Sequence, residues 1–210
     1  MSFNTTLATF QAILNRDDCT TAQATAFLTQ AISRVQRDCR LPSMERTLII
    51  TPAETTNFFM VPADLIQPID VLTQDVTSGN FYALAKKSFR ELLRYDPTDL
   101  PRVYARNQTQ IWIAGSVGVG QQIMFIYYGN FSSFANGDAD NELTASTPDL
   151  AVYGALSYAG DSFQHPSAPA WEARYQAIKA EVMAMAIDLD AEGGPQYVQS
   201  LYPNDDWCWE

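Results

Sequence analysis

Trp171, Tyr175, Ile178, Val182, Met185 and Leu189 recur along the chain at alternating steps of four and three without a fault. Only a long α-helix brings such positions onto one stripe, and a stripe of that size has to be covered by other elements. Fully buried, each of these side chains would contribute about 1.5–3 kcal/mol before chain entropy is subtracted. The repeat therefore demands helix-on-helix packing, and Gly193-Gly194-Pro195 marks where the helix must stop.

The other end of the chain carries the partners for such a layer. Phe3, Leu7, Phe10 and Leu14 repeat the four-three-four step, as do Ala24, Leu28, Ala31 and Val35. Two helices are predicted, over about 3–14 and 20–38, separated by the polar break Asn15-Arg16-Asp17-Asp18. Thr20 and Gln23 have the spacing of a capping box. Arg34, Arg37 and Arg40 suit the negative end of the second helix, and Pro42 forbids its continuation. A further helix is predicted from Thr147-Pro148-Asp149 to about Gly160, with the Thr147 hydroxyl as its cap.

Between these ends the grammar changes. Short β-branched and aromatic runs, broken by Pro, Gly, Asn and Asp, predict strands at Thr47–Thr51, Asn57–Val61, Ile69–Gln74, Arg102–Arg106, Gln110–Ala114 and Gln121–Tyr128. In the last run Ile123, Phe125 and Tyr127 alternate with Met124, Ile126 and Tyr128, so neither face is polar and both should be covered. Ser88 and Glu91 predict a capped short helix within this region. The expectation is an α+β chain: a mainly helical bundle built from N- and C-terminal helices over 1–46 and 146–192, an inserted antiparallel β region over 47–145, and a C-terminal tail over 193–210. No repeat or low-complexity linker interrupts it.

Charge narrows the partners. The 210 residues hold 13 Lys plus Arg against 24 Asp plus Glu, a net charge of -11, which is the wrong sign for gripping phosphates across a broad face. Residues 131–210 carry 13 of the acids and, as cations, only Arg174 and Lys179. That third is either a solvated acidic face, or a surface that repels a polyanion or meets a basic partner. No apolar run reaches the ~18–20 residues that span a bilayer, and Met1-Ser2-Phe3-Asn4 lacks a basic leader, so a chain made in the cytoplasm and away from membranes is expected. Cys19, Cys39 and Cys208 are odd in number and far apart, which suits reduced thiols.

Catalytic and metal-binding patterns are sparse. His165 is the sole histidine and no CxxC pair exists, so no structural zinc, metal site or cofactor is expected. Gly115-Ser116-Val117-Gly118-Val119-Gly120 lacks the Lys-Ser/Thr of a phosphate loop and reads as a turn. Asp138, Asp140 and Glu142 imitate the start of a calcium loop, but Leu143 stands where glycine is required, so a surface loop is expected. Gly160-Asp161-Ser162-Phe163 is similar to the Gly-Asp-Ser block of a lipase-like hydrolase family, yet Ser162 follows a helix and no Asp-x-x-His pair exists. Asp188 and Asp190, two apart on a helix, face different ways and make no acid–base pair. The last fifteen residues are acidic and aromatic. Tyr197, Val198, Leu201, Tyr202, Trp207 and Trp209 either fold back on the bundle or order on a partner.

The order of these parts resembles the head-to-tail adaptor (connector) proteins of tailed bacteriophages. The helix Ala24–Arg40 leads into Leu41-Pro42. Phe58-Phe59-Met60-Val61-Pro62-Ala63-Asp64-Leu65 is similar to the family's Phe-x-Val-Pro-x-Asp-Phe/Leu, and Ile123–Gly129 to its Val-x-Leu-x-Tyr-Tyr. Thr147-Pro148-Asp149-Leu150-Ala151-Val152-Tyr153-Gly154-Ala155-Leu156 is close to its Tyr-Pro-Asp-Leu-Tyr-Leu-Tyr-Gly-Ala-Leu, and Trp171–Tyr175 to its Trp-x-x-x-Tyr. The resemblance covers about residues 20–190, with Gly115–Gly120 in place of a proline-rich turn and Thr147 in place of a common Tyr.

What the resemblance implies is a non-enzymatic structural virion protein. Twelve copies would form a ring in the neck between head and tail, after assembly in the host bacterial cytoplasm. The ring would sit under the portal protein and join it to tail or nozzle proteins, with DNA only passing through its channel. Tyr197, Leu201, Tyr202, Trp207 and Trp209 are then portal-interface candidates, and Asp188, Asp190 and Glu192 channel-lining candidates. Two other classes stay open on the residues: a lipase-like hydrolase using Ser162, and a small-ligand-binding module.

Overall fold

The computed structural model describes residues 2–96, 100–132 and 141–192, the last five by backbone alone. In chain order the elements are α1 Phe3–Leu14, α2 Thr21–Asp38, β1 Glu45–Ile50, β2 Thr56–Met60, β3 Leu65–Gln74, β4 Phe81–Ala83, β5 Ala85–Lys86 and α3 Phe89–Leu92. They continue with β6 Val103–Asn107, β7 Gln110–Val117, β8 Ile123–Gly129, α4 Glu142–Ser146, α5 Pro148–Ser162 and α6 Ala168–Glu192.

Local signals in the sequence start these helices where expected. Thr20 Oγ1 accepts from the Gln23 amide at 3.3 Å while Gln23 Oε1 accepts from the Thr20 amide at 2.9 Å, closing the capping box of α2. Ser88 and Glu91 form the equivalent box on α3. Phe10 and Leu14 of α1, with Leu28, Ala31 and Val35 of α2, are buried. They pack on α5, the most enclosed helix, nine of whose residues are buried. Gly154 permits the crossing of α2, α5 and α6, since a Cβ there would lie 3.1 Å from Ala31 Cβ and 3.3 Å from the Tyr175 ring.

The strands form two four-stranded sheets, ordered β1-β8-β3-β4 and β2-β7-β6-β5. Their inner faces meet in a separate core of Phe59, Val71, Tyr104, Ile111, Ile113, Val117, Ile123, Phe125 and Tyr127. Phe59 meets Phe125 edge-on at 5.4 Å across the two sheets. The outer face of the second sheet is capped by α3, whose Phe89 and Leu92 pack on Val103, Ala105, Trp112 and Ala114.

The expected mainly helical bundle is therefore corrected. The chain is α+β with two four-stranded sheets, 44% helix and 26% strand among the described residues, and its strands carry a core of their own rather than decorating a helical one. The uninterrupted seams at the chain ends overstate the helices, because strand signals are short and scattered. β4 and β5, three and two residues long, are too short to show any period and were not expected. The β region is also not wholly antiparallel, since β5 runs parallel to β6. β3 begins four residues before its predicted start and passes through Pro68, where two register shifts absorb the missing amide.

Three local expectations also change. Thr147 does not cap α5 with its hydroxyl, which donates instead to the Leu143 carbonyl at 3.4 Å. The presumed surface loop at Glu142 is the first turn of α4, capped by the buried Asn141–Thr144 box. Asp138 and Asp140 lie outside the described residues. The α6 seam holds at Trp171, Tyr175 and Ile178 but fails at Met185, which is exposed while Ala186 is buried. A straight helix drifts relative to a four-three repeat, so by Met185 the stripe has turned off the covered face and Ala186 takes its place.

Strand β8 shows a smaller difference. Ile123, Phe125 and Tyr127 are buried between the sheets, whereas Met124, Ile126 and Tyr128 are only half-buried. Tyr128 and Ile66 pack on the helical core, so β8 and β3 both bridge the two cores.

Candidate functional site

Among the described residues, one polar cluster joins three helices. Arg34 of α2 donates through Nη1 and Nη2 to the two carboxylate oxygens of Glu172 in α6, at 2.9 and 2.6 Å. Ser157 Oγ of α5 donates to the same carboxylate at 2.6 Å and Gln176 Nε2 at 2.7 Å. The Arg34 guanidinium holds Glu172 down to about 2, and Glu172 in turn raises Arg34 further above its usual range. Arg34 also lies 4.2 Å from the ring centre of Tyr175. Every oxygen of this carboxylate is engaged in structure, so the group is a clamp and offers no free base.

A second construction fastens the strands to the helices. Arg46 of β1 donates through Nη2 to Glu142 Oε1 at 3.0 Å and to the Asn130 carbonyl at 2.8 Å, and its Nε lies 3.2 Å from Asp64 Oδ2. That Nε is buried and too poorly aligned to hydrogen-bond, so its contact with Asp64 is electrostatic only. Glu142 Oε2 accepts from Ser132 N and Oγ at 2.9 and 2.7 Å, and Tyr127 Oη donates to Asp64 at 3.2 Å. Arg46 runs across Gly129, where a Cβ would lie 2.6 Å from its Cδ and Nε. Neither Arg46 nor Glu142 stood out in the sequence as paired, because they are 96 residues apart.

The hydrolase constellation does not assemble. Ser162 is exposed at the end of α5, and no hydrogen bond among the described residues joins it to His165. The imidazole stacks on Trp171 at 4.6 Å, and its Nδ1 accepts from the Ser167 amide at 3.1 Å. A triad histidine needs Nδ1 protonated and held by a carboxylate, which is the opposite tautomer. Gly115 lies within β7, and Gly118–Gly120 forms the turn between the sheets, held by the Gly118 amide donating to Gln121 Oε1 at 2.6 Å. It is a crossover and not a phosphate cradle. Cys19 and Cys39 are free and buried. Among the described residues no helix is long and apolar enough to cross a membrane, and no group of three His, Cys, Asp or Glu side chains is placed to hold a metal.

The surface offers further candidates. The backbone of Asp188, Asp190 and Glu192 lies in the last turns of α6. Tyr197, Leu201, Tyr202, Trp207 and Trp209 lie outside the described residues. Two exposed regions were missed in the sequence. On α6, Met185 and Ile187 are bare. Around α3, Leu93, Tyr95 and Leu100 are bare beside the exposed Lys86, Lys87, Arg90, Arg94 and Arg102. The signal for the second was a local reversal of charge within an acidic chain: residues 86–106 hold six cations and three acids.

The family model described as SU10 adaptor protein matches residues 1–199. No curated protein matches the chain.

Proposed function

Because the chain belongs to the SU10 adaptor protein family, and is thereby a structural adaptor of a bacteriophage virion neck, we propose that it forms a ring under the portal, with the tail attached below and DNA passing through the channel. The match over residues 1–199 carries this reading, since it takes in both the helices and the sheets and nearly the whole chain. Twelve copies would close the ring, and the protein would assemble in the host cytoplasm before joining the neck. Its work is to make contacts with virion components rather than to catalyse a reaction.

In this reading the helices over 1–46 and 146–192 form the ring body and the β-rich segment over 47–145 an extension from it. The Arg34–Glu172 clamp supports that division, because it locks α2 to α6 and leaves the sheets to be fastened separately through Arg46. Residues 188–192 contribute three acids and no cation, a composition that lets a channel wall pass DNA without holding it. Tyr197, Leu201, Tyr202, Trp207 and Trp209 supply aromatic anchors for a portal clasp.

Electron cryomicroscopy of the purified chain mixed with its portal tests the assignment. A closed ring on the portal, with the aromatic tail seated against it and acids facing the lumen, is expected. A tail without density in the bound ring, or a lumen walled by Lys and Arg, refutes these assignments.

A further inference from the structure

Ser33, Gln36, Arg37 and Arg40 lie at steps of three, one and three, which gathers them on one side of the end of α2. Ile66 of β3 and Asn130, just past β8, line the other wall of the cleft of about 410 Å³ that results. Arg37 and Arg40 give this cleft two cations, and no acid lines it, although the chain as a whole carries a net charge of -11.

The acids nearest in sequence are engaged elsewhere. Asp38 Oδ2 lies 3.8 Å from Arg34 Nε and 3.3 Å from Lys179 Nζ. Asp64 takes the Asn130 amide on its backbone carbonyl, while its side chain meets Arg46 and Tyr127. Arg40 is already held in place: Nη1 donates to the Gln36 and Cys39 carbonyls at 2.9 and 2.7 Å, and Nε to Gln67 Oε1 at 3.2 Å. Those bonds offset the negative end of α2 and fix the guanidinium, whose Nη2 has no partner among the described residues. The side chains of Gln36, Arg37 and Asn130 likewise make no hydrogen bond or ion pair among the described residues.

These free groups select a ligand. A guanidinium meets a carboxylate through two parallel bonds, and a carboxamide offers both a donor and an acceptor, as an extended peptide backbone does. Duplex DNA fits less well, because its affinity comes from many cations spread along a face and the cleft has two. We propose that this cleft receives an acidic, extended segment of another virion protein, the kind of partner a structural adaptor meets. Arg37 and Arg40 take its carboxylates, Gln36 and Asn130 its backbone, and Ile66 the apolar part of a side chain between them. Arg37 is exposed, so a single contact is weak and salt-sensitive, and several copies acting together give it strength. The contact does not depend on closure of a ring.

Fluorescence anisotropy of labelled hexaglutamate, titrated with the full chain, tests it. Wild type is expected to bind with a Kd of about 0.1–1 mM at about 50 mM salt, weakening as salt rises. Arg37→Glu should weaken binding about tenfold or more, and Asn130→Asp, on the opposite wall, about threefold or more. Neither side chain has a partner to lose, so both variants should melt within about 2 °C of wild type. Arg90→Glu with Arg94→Glu, which lie outside the cleft, should leave binding within about twofold of wild type. No binding up to about 1 mM chain overturns the proposal, as does binding that Arg37→Glu and Asn130→Asp leave intact, or binding lost in the Arg90→Glu, Arg94→Glu variant. Duplex DNA bound more tightly than the peptide, and released by Arg37→Glu, gives the cleft to phosphates and also overturns it.

Discussion

Arg34 grips Glu172 fork to fork across 138 residues of sequence, tying α2 to α6. Three neighbours of different elements converge on one carboxylate, so its ionisation is coupled to the closure of the helical layer.

Acid should release that clamp. Glu172 is held at about 2 in the folded chain against an ordinary 4.5, so its contribution is complete above pH 4.5 and is lost as pH falls toward 2. Wild-type thermal stability is expected to fall across that window, and Glu172→Gln to flatten the fall. At neutral pH the substitution should cost about 1–2 kcal/mol, a figure reduced for the carboxylate's partial exposure. A Glu172→Gln variant with an unaltered acid profile would show that the clamp is not coupled to folding.

Removing the Tyr175 hydroxyl should cost little. The side chain is fully buried, its Oη has no hydrogen-bond partner, and burial pushes its ionisation above the usual phenol range. Tyr175→Phe keeps the ring beneath Arg34 and discards only an unpaired polar atom. Urea unfolding is expected to place it within about 0.5 kcal/mol of wild type or above it.

Gly160→Ala should be damaging although it adds one carbon. A Cβ there would lie 2.6 Å from Ala168 Cβ and 3.0 Å from Ala168 Cα, so α6 would have to retreat from the end of α5. A loss of about 1–3 kcal/mol is expected by calorimetry.

Two positions of the α6 repeat should differ sharply under the same substitution. Trp171 is buried with the α1, α2 and α5 side chains, so Trp171→Ala should cost about 3–5 kcal/mol. Met185 is exposed, so in the isolated chain Met185→Ala should stay within about 0.5 kcal/mol of wild type.

Ser162 should be dispensable for any ester turnover. The purified chain is expected to hydrolyse an activated ester no faster than its Ser162→Ala variant, because His165 is turned to Trp171 and the Ser167 amide. A rate lost specifically on that substitution would contradict the geometry. Likewise, a ligand-dependent rise in melting temperature of the isolated chain would point to a binding module instead.

The helix starts at Thr20 and Ser88 were legible because a capping box is written in four consecutive residues and needs no partner elsewhere. Most strands were legible from alternation, and their ends slipped where pairing continued past the pattern, as in β3 through Pro68. The channel-lining and portal-interface candidates rest on composition in the last 23 residues, and their side chains lie beyond those the structure describes. Thr147 misled because a hydroxyl before Pro-Asp has the right chemistry for a cap, yet α4 ends against it and the Leu143 carbonyl accepts the hydroxyl's hydrogen bond instead.

By itself the sequence determined where helices begin, which runs alternate, how acid gathers in the C-terminal third, and the order of motifs that resembles an adaptor. Those properties live in residues a few places apart, where propensity, capping and periodicity act. Only the tertiary structure decided that strands divide into two sheets with their own core, that Arg34 finds Glu172 and Arg46 finds Glu142, and that α6 buries Ala186 in place of Met185. Burial and ion pairing depend on which distant surface arrives opposite a residue, and nothing in a local pattern records which surface that is.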